Sequence, residues 1–435
     1  MSVAVDTAAA IAGYGARMRR FERRNFALLV LDGATFAFAI SLLSEATILP
    51  AFVQALSGSA VLVGLVGATF AIGHYLPQLI GAHLVHGKPR RKPALLAIVI
   101  AERVGILAIA LVAQMVGVAP PTVVLVLFFV AFCGYAITTG LIGPVYGDYL
   151  AKALPRSRGW YYGISQLIGG GLGFVAALIG ESLLREYAFP LGNQLCFWLC
   201  FALSFLSIFF IGSLHDEDYP ELEPRQRLRD TLREIPGLIR GDRPYARFLI
   251  ARSFLAFSTL GVGFIVVYGL QHGLRPSDAA ILAAVYILAQ AFGGFGLSLL
   301  GNYAGWKIVV VIGGALLILG MGGALFATGL VGYALVYAAL GAANAVTIIG
   351  DPNMSIEFSP ASRTSLYLGT TSTLLAPFFV LGPLLGGWFA LYTGYLPVFA
   401  VAATLAIVGF VLAIGVHEPR KRVVGDVVGQ PGVMP

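Results

Sequence analysis

A succession of twelve long apolar runs constrains this chain more than any other feature. A helix that crosses a bilayer needs about 20 predominantly apolar residues. Runs of that order lie at roughly 25–50, 60–86, 94–116, 121–146, 160–184, 191–213, 246–271, 277–301, 307–328, 331–351, 365–389 and 392–416. They are continuous rather than alternating, which excludes a barrel of short strands. Apolar residues make up 58% of the 435 and charged residues 11%, against about 25% charged in an average globular protein. That is too little charge to coat a soluble molecule of this size, and too much apolar surface for a disordered one. The chain reads as an all-α polytopic membrane protein.

The formal net charge of +7 is not spread evenly. With the N-terminus placed inside, 24 of the 28 Lys and Arg fall in inside segments. These are Arg17 to Arg24, Lys88 to Lys92, Lys152 to Arg158, Arg225 to Arg247, Lys307, Arg363 and Arg420 to Arg422. The outside loops keep only Arg185 and Arg275, and Arg103 and Arg252 fall within spans. Such a bias fixes orientation in a cell membrane and puts both termini in the cytoplasm. It also removes nucleic acid as the reason for the positive charge. The N-terminal residues carry a basic cluster followed by an apolar run too long for a cleavable signal, so 1–24 reads as a cytoplasmic tail. The organisation expected is a six-helix bundle at 25–213, a cytoplasmic linker at 214–245, a second bundle at 246–416 and a tail at 417–435. In the linker, Leu228, Leu232, Ile235 and Ile239 share one helical face, as in an amphipathic helix lying on a membrane. Cys133, Cys196 and Cys200 all lie in apolar runs and read as small core residues.

The two halves repeat. After the second run stands Leu84-Val85-His86-Gly87-Lys88-Pro89-Arg90-Arg91, and after the eighth Leu300-Gly301-Asn302-Tyr303-Ala304-Gly305-Trp306-Lys307. After the fourth stands Pro155-Arg156-Ser157-Arg158, and after the tenth Pro360-Ala361-Ser362-Arg363. At these residues the chain resembles the major facilitator superfamily over nearly its whole length. The family's loop signature, roughly G-x-L-a-D-R-x-G-R-K, keeps Leu84, Arg90 and Arg91 in the first copy and Leu300, Gly305 and Lys307 in the second. The acidic position is His86 in one copy and Asn302 in the other. The resemblance implies that Leu84, His86, Arg90, Arg91, Asn302, Gly305 and Lys307, with Arg158 and Arg363, form cytoplasmic gating loops. Gly382-Pro383-Leu384-Leu385-Gly386-Gly387 resembles the GP-x-x-GG fragment of the drug/proton antiporter motif, but it stands in the eleventh run. The fifth run has the glycines without the proline, and the fourth lacks the antiporter arginine. The resemblance implies twelve helices in two pseudo-symmetric bundles, and transport of a small solute by alternating access around a site near the midplane.

Polar residues inside the runs are the remaining signals. Intramembrane ionisable groups are costly and default to functional hypotheses. Asp32 and Glu45 lie 13 residues apart, about 20 Å along a helix. Each is a candidate proton-coupling site, since burial favours a neutral carboxyl; an ion pair of Asp32 with Arg103 or Arg252 is the structural alternative. Glu102 and Arg103 read as structural. His74, Gln78, Thr138, Gln166, Arg252, Tyr268, Gln290 and Asn344 are the substrate-cavity candidates on the runs that line the family's cavity. A lining of this kind, with few fixed charges, suits a neutral or amphiphilic organic solute.

The expected function is proton-coupled secondary transport by a monomer in the lipid bilayer. No nucleotide loop, H-E-x-x-H run or D-D-x-x-D run occurs, so neither an enzymatic activity, a metal nor a cofactor is expected. The alternatives are an integral membrane enzyme acting on a lipid and a transporter-like receptor without flux.

Overall fold

Proline, glycine and the cost of unpaired backbone in lipid decide how these apolar runs become helices. In hydrocarbon every backbone N–H and C=O must be satisfied within the chain, which favours helix throughout. The computed structural model describes residues 2–44, 48–220, 228–274 and 276–419, and they are helical apart from short connections and one isolated bridge between Val116 and Ala119. The chain divides into two units, Met1–Gln226 and Arg227–Pro435.

The first unit holds α1 (Ser2–Ser41), α2 (Ile48–Ser57), α3 (Ala60–Tyr75), α4 (Gln78–Val85), α5 (Lys92–Ala113), α6 (Pro121–Ala153), α7 (Arg158–Glu186) and α8 (Leu191–Gly212). The second holds α9 (Leu228–Gly241), α10 (Arg243–Phe257), α11 (Val262–Gln271), α12 (Pro276–Ala304), α13 (Trp306–Ala324), α14 (Gly329–Ala345), α15 (Asp351–Phe358), α16 (Thr364–Thr393) and α17 (Tyr395–Ile414). A 3-10 turn, Ser258–Gly261, joins α10 to α11, and a π turn, Val346–Gly350, joins α14 to α15. Eleven helices among the described residues are long and apolar enough to cross a membrane.

Two runs depart from the expected spans. The first was expected as one helix over 25–50. Instead α1 starts at Ser2, ends at Ser41, and helix resumes at Ile48. Ser41 Oγ bonds back to the Ala37 carbonyl at 2.9 Å, and Leu42 and Leu43 close the end with i→i−3 bonds; such back-bonding competes with helix propagation. Beyond it α2 buries Phe52 among Phe128, Phe189 and Phe197. Glu45 falls outside the described residues. The second run, 60–86, is not continuous either. Pro77 carries no backbone N–H and ends the ladder, so the run becomes α3 and α4.

Each unit uses the same packing scheme. In the first, α1 packs on α7 and α8, α5 on α6 and α8, and the α3–α4 pair on α6. In the second, α10 packs on α16 and α17, α13 on α14 and α17, and α12 on α14. The closest approaches are made at glycine. A Cβ on Gly140 would lie 2.5 Å from the backbone oxygens of Gly73 and His74 in α3, and one on Gly341 would strike the Tyr286 backbone in α12. Small residues at these crossings let the backbones meet. The repeat read from two loop pairs is therefore a repeat of helix contacts, and the fold is a pair of similar helical bundles.

α9 carries Leu228, Leu232, Ile235 and Ile239 on one side, and of its described residues only Thr231 is buried. The preceding stretch, 213–219, is tied to its own unit. Ser213 O accepts from Arg24 at 2.8 Å, Asn25 bonds both backbone groups of His215, and Tyr219 N donates to Pro89 O at 3.0 Å.

Candidate functional site

The core of the first unit is not continuous. One apolar cluster gathers Phe52, Ile106, Phe128, Phe132, Tyr135 and Phe197. A second gathers Leu29, Val99, Val145, Leu150, Tyr161 and Ile211. Between them, at intermediate positions of α1, α5, α6 and α8, runs a polar layer of Asp32, Glu102, Arg103, Thr139, Ser204 and Ser207. Asp32, Glu102, Arg103 and both serines are all buried.

Arg103 organises the layer. Its guanidinium pairs with the neighbouring Glu102, donates to Ser204 O at 3.1 Å and Ser207 Oγ at 2.7 Å, and lies 4.6 Å over the Phe36 ring. Thr139 donates to the other oxygen of Glu102 at 2.9 Å. Arg103 thus takes Glu102, not Asp32, as its ion-pair partner. Asp32 receives a long bond from Tyr146 at 3.4 Å, and Tyr146 in turn meets Tyr161 at 2.7 Å; Ser207 and the Arg103 guanidinium also act on the Asp32 carboxyl. Asp32 Oδ1 is buried with no hydrogen-bond partner, as are Ser165 Oγ and Gln166 Nε2 on α7. The layer holds two carboxyls and one guanidinium, so its charges balance when one carboxyl carries a proton.

In the second unit Arg252 makes a two-point bond to Asp351, at 2.5 and 2.6 Å, and reaches Thr347 at 3.2 Å. The pair joins α10 to the start of α15, next to the π turn. Gln290 and Asn344 meet across α12 and α14 at 3.2 Å. Tyr268 packs its ring against His272 and Phe399. His74 stacks on Phe70 and leaves its Nδ1 buried without a partner; Gln78 donates to the His74 carbonyl at 3.2 Å. Thr138 bonds only carbonyls of its own helix. Of the sequence-derived cavity residues, the structure brings together His74 with Gln78 and Gln290 with Asn344.

Three of the residues expected in cytoplasmic gating loops, Arg90, Arg91 and Arg363, have acidic partners that the loop signature does not contain. Arg91 is buried against Asp148 at 2.9 Å, and Lys152 takes the other oxygen of that carboxylate. The Tyr219 ring covers both cations, at 5.6 and 5.0 Å. Asp216 accepts from the backbone N–H groups of Arg91 and Lys92 at 3.0 and 2.8 Å, capping α5. Burial pushes the Asp216 carboxyl above its ordinary value, and those two N–H groups hold it back. Arg90 pairs with Asp218 at 2.8 Å. The hydrogen bond from Arg17 holds Glu217 below the usual carboxylate range. His86 caps α4 with both ring nitrogens buried and unpartnered among the described residues, and Leu84 sits two residues earlier. Gly305 turns with φ +95 ahead of Lys307, and a Cβ there would meet Glu418. Asn302 lies in the last turn of α12 and Arg158 opens α7. Arg363 precedes α16 and pairs with Glu234 of α9 at 2.7 Å.

Asp148, Lys152, Asp351 and Tyr146 were missed from the sequence. Asp148 stood at the margin of the fourth run and Asp351 at the last position of the tenth. Their signal was available: a carboxylate within two turns of the end of an apolar run, with a cation four residues on for Asp148.

No protein-family model matches the chain. Among curated proteins, the quinolone resistance protein NorA of Staphylococcus aureus is 29% identical over 177 residues, covering 39% of this chain and 44% of NorA. The matched region is thus under half of that relative. Among solved structures, the E. coli fucose:proton symporter FucP, a Major Facilitator Superfamily transporter, gives a TM-score of 0.66 at 16% identity over 90% of this chain and 98% of FucP. A bacterial homologue of the iron transporter ferroportin gives 0.70 at 13% identity, over 90% and 98%. The chain has the major facilitator fold and is a multi-pass membrane protein.

Proposed function

We propose that this chain is a secondary transporter that moves a small organic solute across a cell membrane by alternating access, coupled to protons through Asp32. The observation that carries the reading is the buried, unpartnered oxygen of Asp32 in a polar layer that balances its charge by binding one proton. Protonation turns that oxygen into a donor or a neutral acceptor. Loss of the proton leaves a charge that the layer must re-solvate by moving. A group of this kind couples proton occupancy to conformation. The similarity to the quinolone resistance protein NorA directs the first substrate probe to quinolones, which are amphiphilic. Glu45 stands as a second proton site by position in the sequence alone.

The test is transport in proteoliposomes with a fluorescent quinolone under an imposed pH gradient. Asp32→Asn is expected to abolish gradient-driven accumulation while substrate exchange at equal pH persists. Gradient-driven transport at the wild-type rate in that variant would remove Asp32 from the mechanism. If the quinolone is not moved at all, a thermal-shift screen against a solute library at two pH values supplies the replacement probe.

A further inference from the structure

We propose that a basic cleft at the end of the first unit binds the phosphate headgroup of an anionic glycerophospholipid. The cleft has a volume of about 680 Å³ and is lined from α1 and the start of α7. Arg19 and Arg23 stand one turn apart on α1, and Arg156 faces them from the turn before α7. All three are exposed, and among the described residues none has an acidic partner within ion-pair distance; Arg19 Nε bonds only the Gly15 carbonyl, at 3.1 Å. Among the described residues Glu22 is the only acid in the lining. One of its oxygens already accepts from Arg156 N at 3.1 Å, Ser157 N at 2.9 Å and Ser157 Oγ at 2.7 Å. It therefore holds the turn in place, and three guanidinium groups outnumber one committed carboxylate.

The cleft has an apolar end as well as a charged one. Going inward along α1, Arg19 and Arg23 give way to Phe26; going inward along α7, Arg156 gives way to Trp160 and Ile164. Both helices continue from here into apolar spans. The polarity gradient on one wall runs the same way as on the other. An inorganic anion would use only the outer end. A phospholipid uses both, with its phosphate between the arginines and its acyl chain against Phe26, Trp160 and Ile164. Tryptophan at headgroup depth and basic pockets between membrane helices suit that ligand.

The experiment is native mass spectrometry of the delipidated 435-residue chain titrated with phosphatidylglycerol, with phosphatidylcholine and inorganic phosphate as separate arms. Arg19→Gln/Arg23→Gln/Arg156→Gln is expected to weaken phosphatidylglycerol binding by more than about tenfold, since each basic residue near an anionic lipid contributes roughly a factor of five. Trp160→Ala is expected to weaken it while leaving all charges in place. Arg20→Gln/Arg243→Gln/Arg247→Gln removes as much charge elsewhere and is expected to bind as the wild type does. A thermal melt of each variant without lipid identifies any that have lost the fold. Equal binding by the cleft variant and the wild type overturns the proposal. So does equal affinity for phosphatidylcholine, or displacement of the lipid by millimolar inorganic phosphate, which would mark a free-anion site.

Discussion

Arg103 is the residue on which the polar layer depends. It holds the Glu102 carboxylate, one serine carbonyl, one serine hydroxyl and an aromatic face from a buried position on α5. Removing one member of a buried ion pair leaves the other charged and unsolvated, which costs about 3–5 kcal/mol, whereas replacing both by apolar residues is close to neutral. Arg103→Leu is therefore expected to lower thermal stability in detergent severely, and Glu102→Leu/Arg103→Leu to recover most of the loss. If the double variant melts as low as the single one, the pair is not what Arg103 stabilises. Asp32 has a different position in the same layer. Among the described residues it makes no ion pair within contact distance, although the Arg103 charge acts on it, and Asp32→Asn keeps its shape, so that variant is expected to fold as the wild type does and to differ in proton dependence.

At the level of elements, the acidic stretch before α9 works as a clasp on the ends of α1 and α5. Two of its three carboxyls, Glu217 and Asp216, respond to pH with opposite sign. Glu217 is held below the usual range by Arg17, so its contribution is complete above the ordinary carboxylate value and is lost as pH falls through its own lower one. Asp216 is raised by burial, so its contribution declines as pH rises through the carboxylate range. Hydrogen-exchange protection at 213–219, taken relative to the intrinsic exchange rate at each pH, is expected to fall on acidification between about pH 5 and 3, and Glu217→Gln to abolish that response. An unchanged acid response in the variant would assign it to another group. The clasp also marks how far sequence reading reached. Apolar runs and loop repeats gave the spans and the two bundles, because both are local patterns. The partners of Arg91 and Arg103 were not legible, because Asp148 and Ser207 lie 57 and 104 residues away and only packing brings them near. The break at Pro77 was legible in principle, since a proline inside an apolar run removes a ladder donor. The break after Ser41 carried no comparable signal, and the packing of Phe52 on α2 settles it.

For the whole molecule, the status of α3 and α4 decides the topology. Eleven described helices meet the length and apolarity of a span, and this broken pair is not among them. With eleven crossings the termini would lie on opposite sides; with the pair included they lie on the same side. Length favours inclusion. Ala60 to Val85 is 26 residues, and at 1.5 Å per residue that is about 39 Å, beyond the roughly 30 Å of hydrocarbon. The backbone opened at Pro77 does not face lipid alone, since both halves pack on α6, through Gly73 against Ala136 and Gly81 against Leu141. Charge favours inclusion too. A single crossing separates Ser57 from Lys88, and the four cations at 88–92 belong on the inner face if the bias over the other segments holds. In a background lacking Cys133, Cys196 and Cys200, Lys88→Cys is expected to react with an impermeant maleimide only after the membrane is opened, and Ser57→Cys and Arg185→Cys in intact cells. Labelling of Ser57→Cys and Lys88→Cys from the same side would make the pair a re-entrant hairpin and reverse the parity of every segment after it.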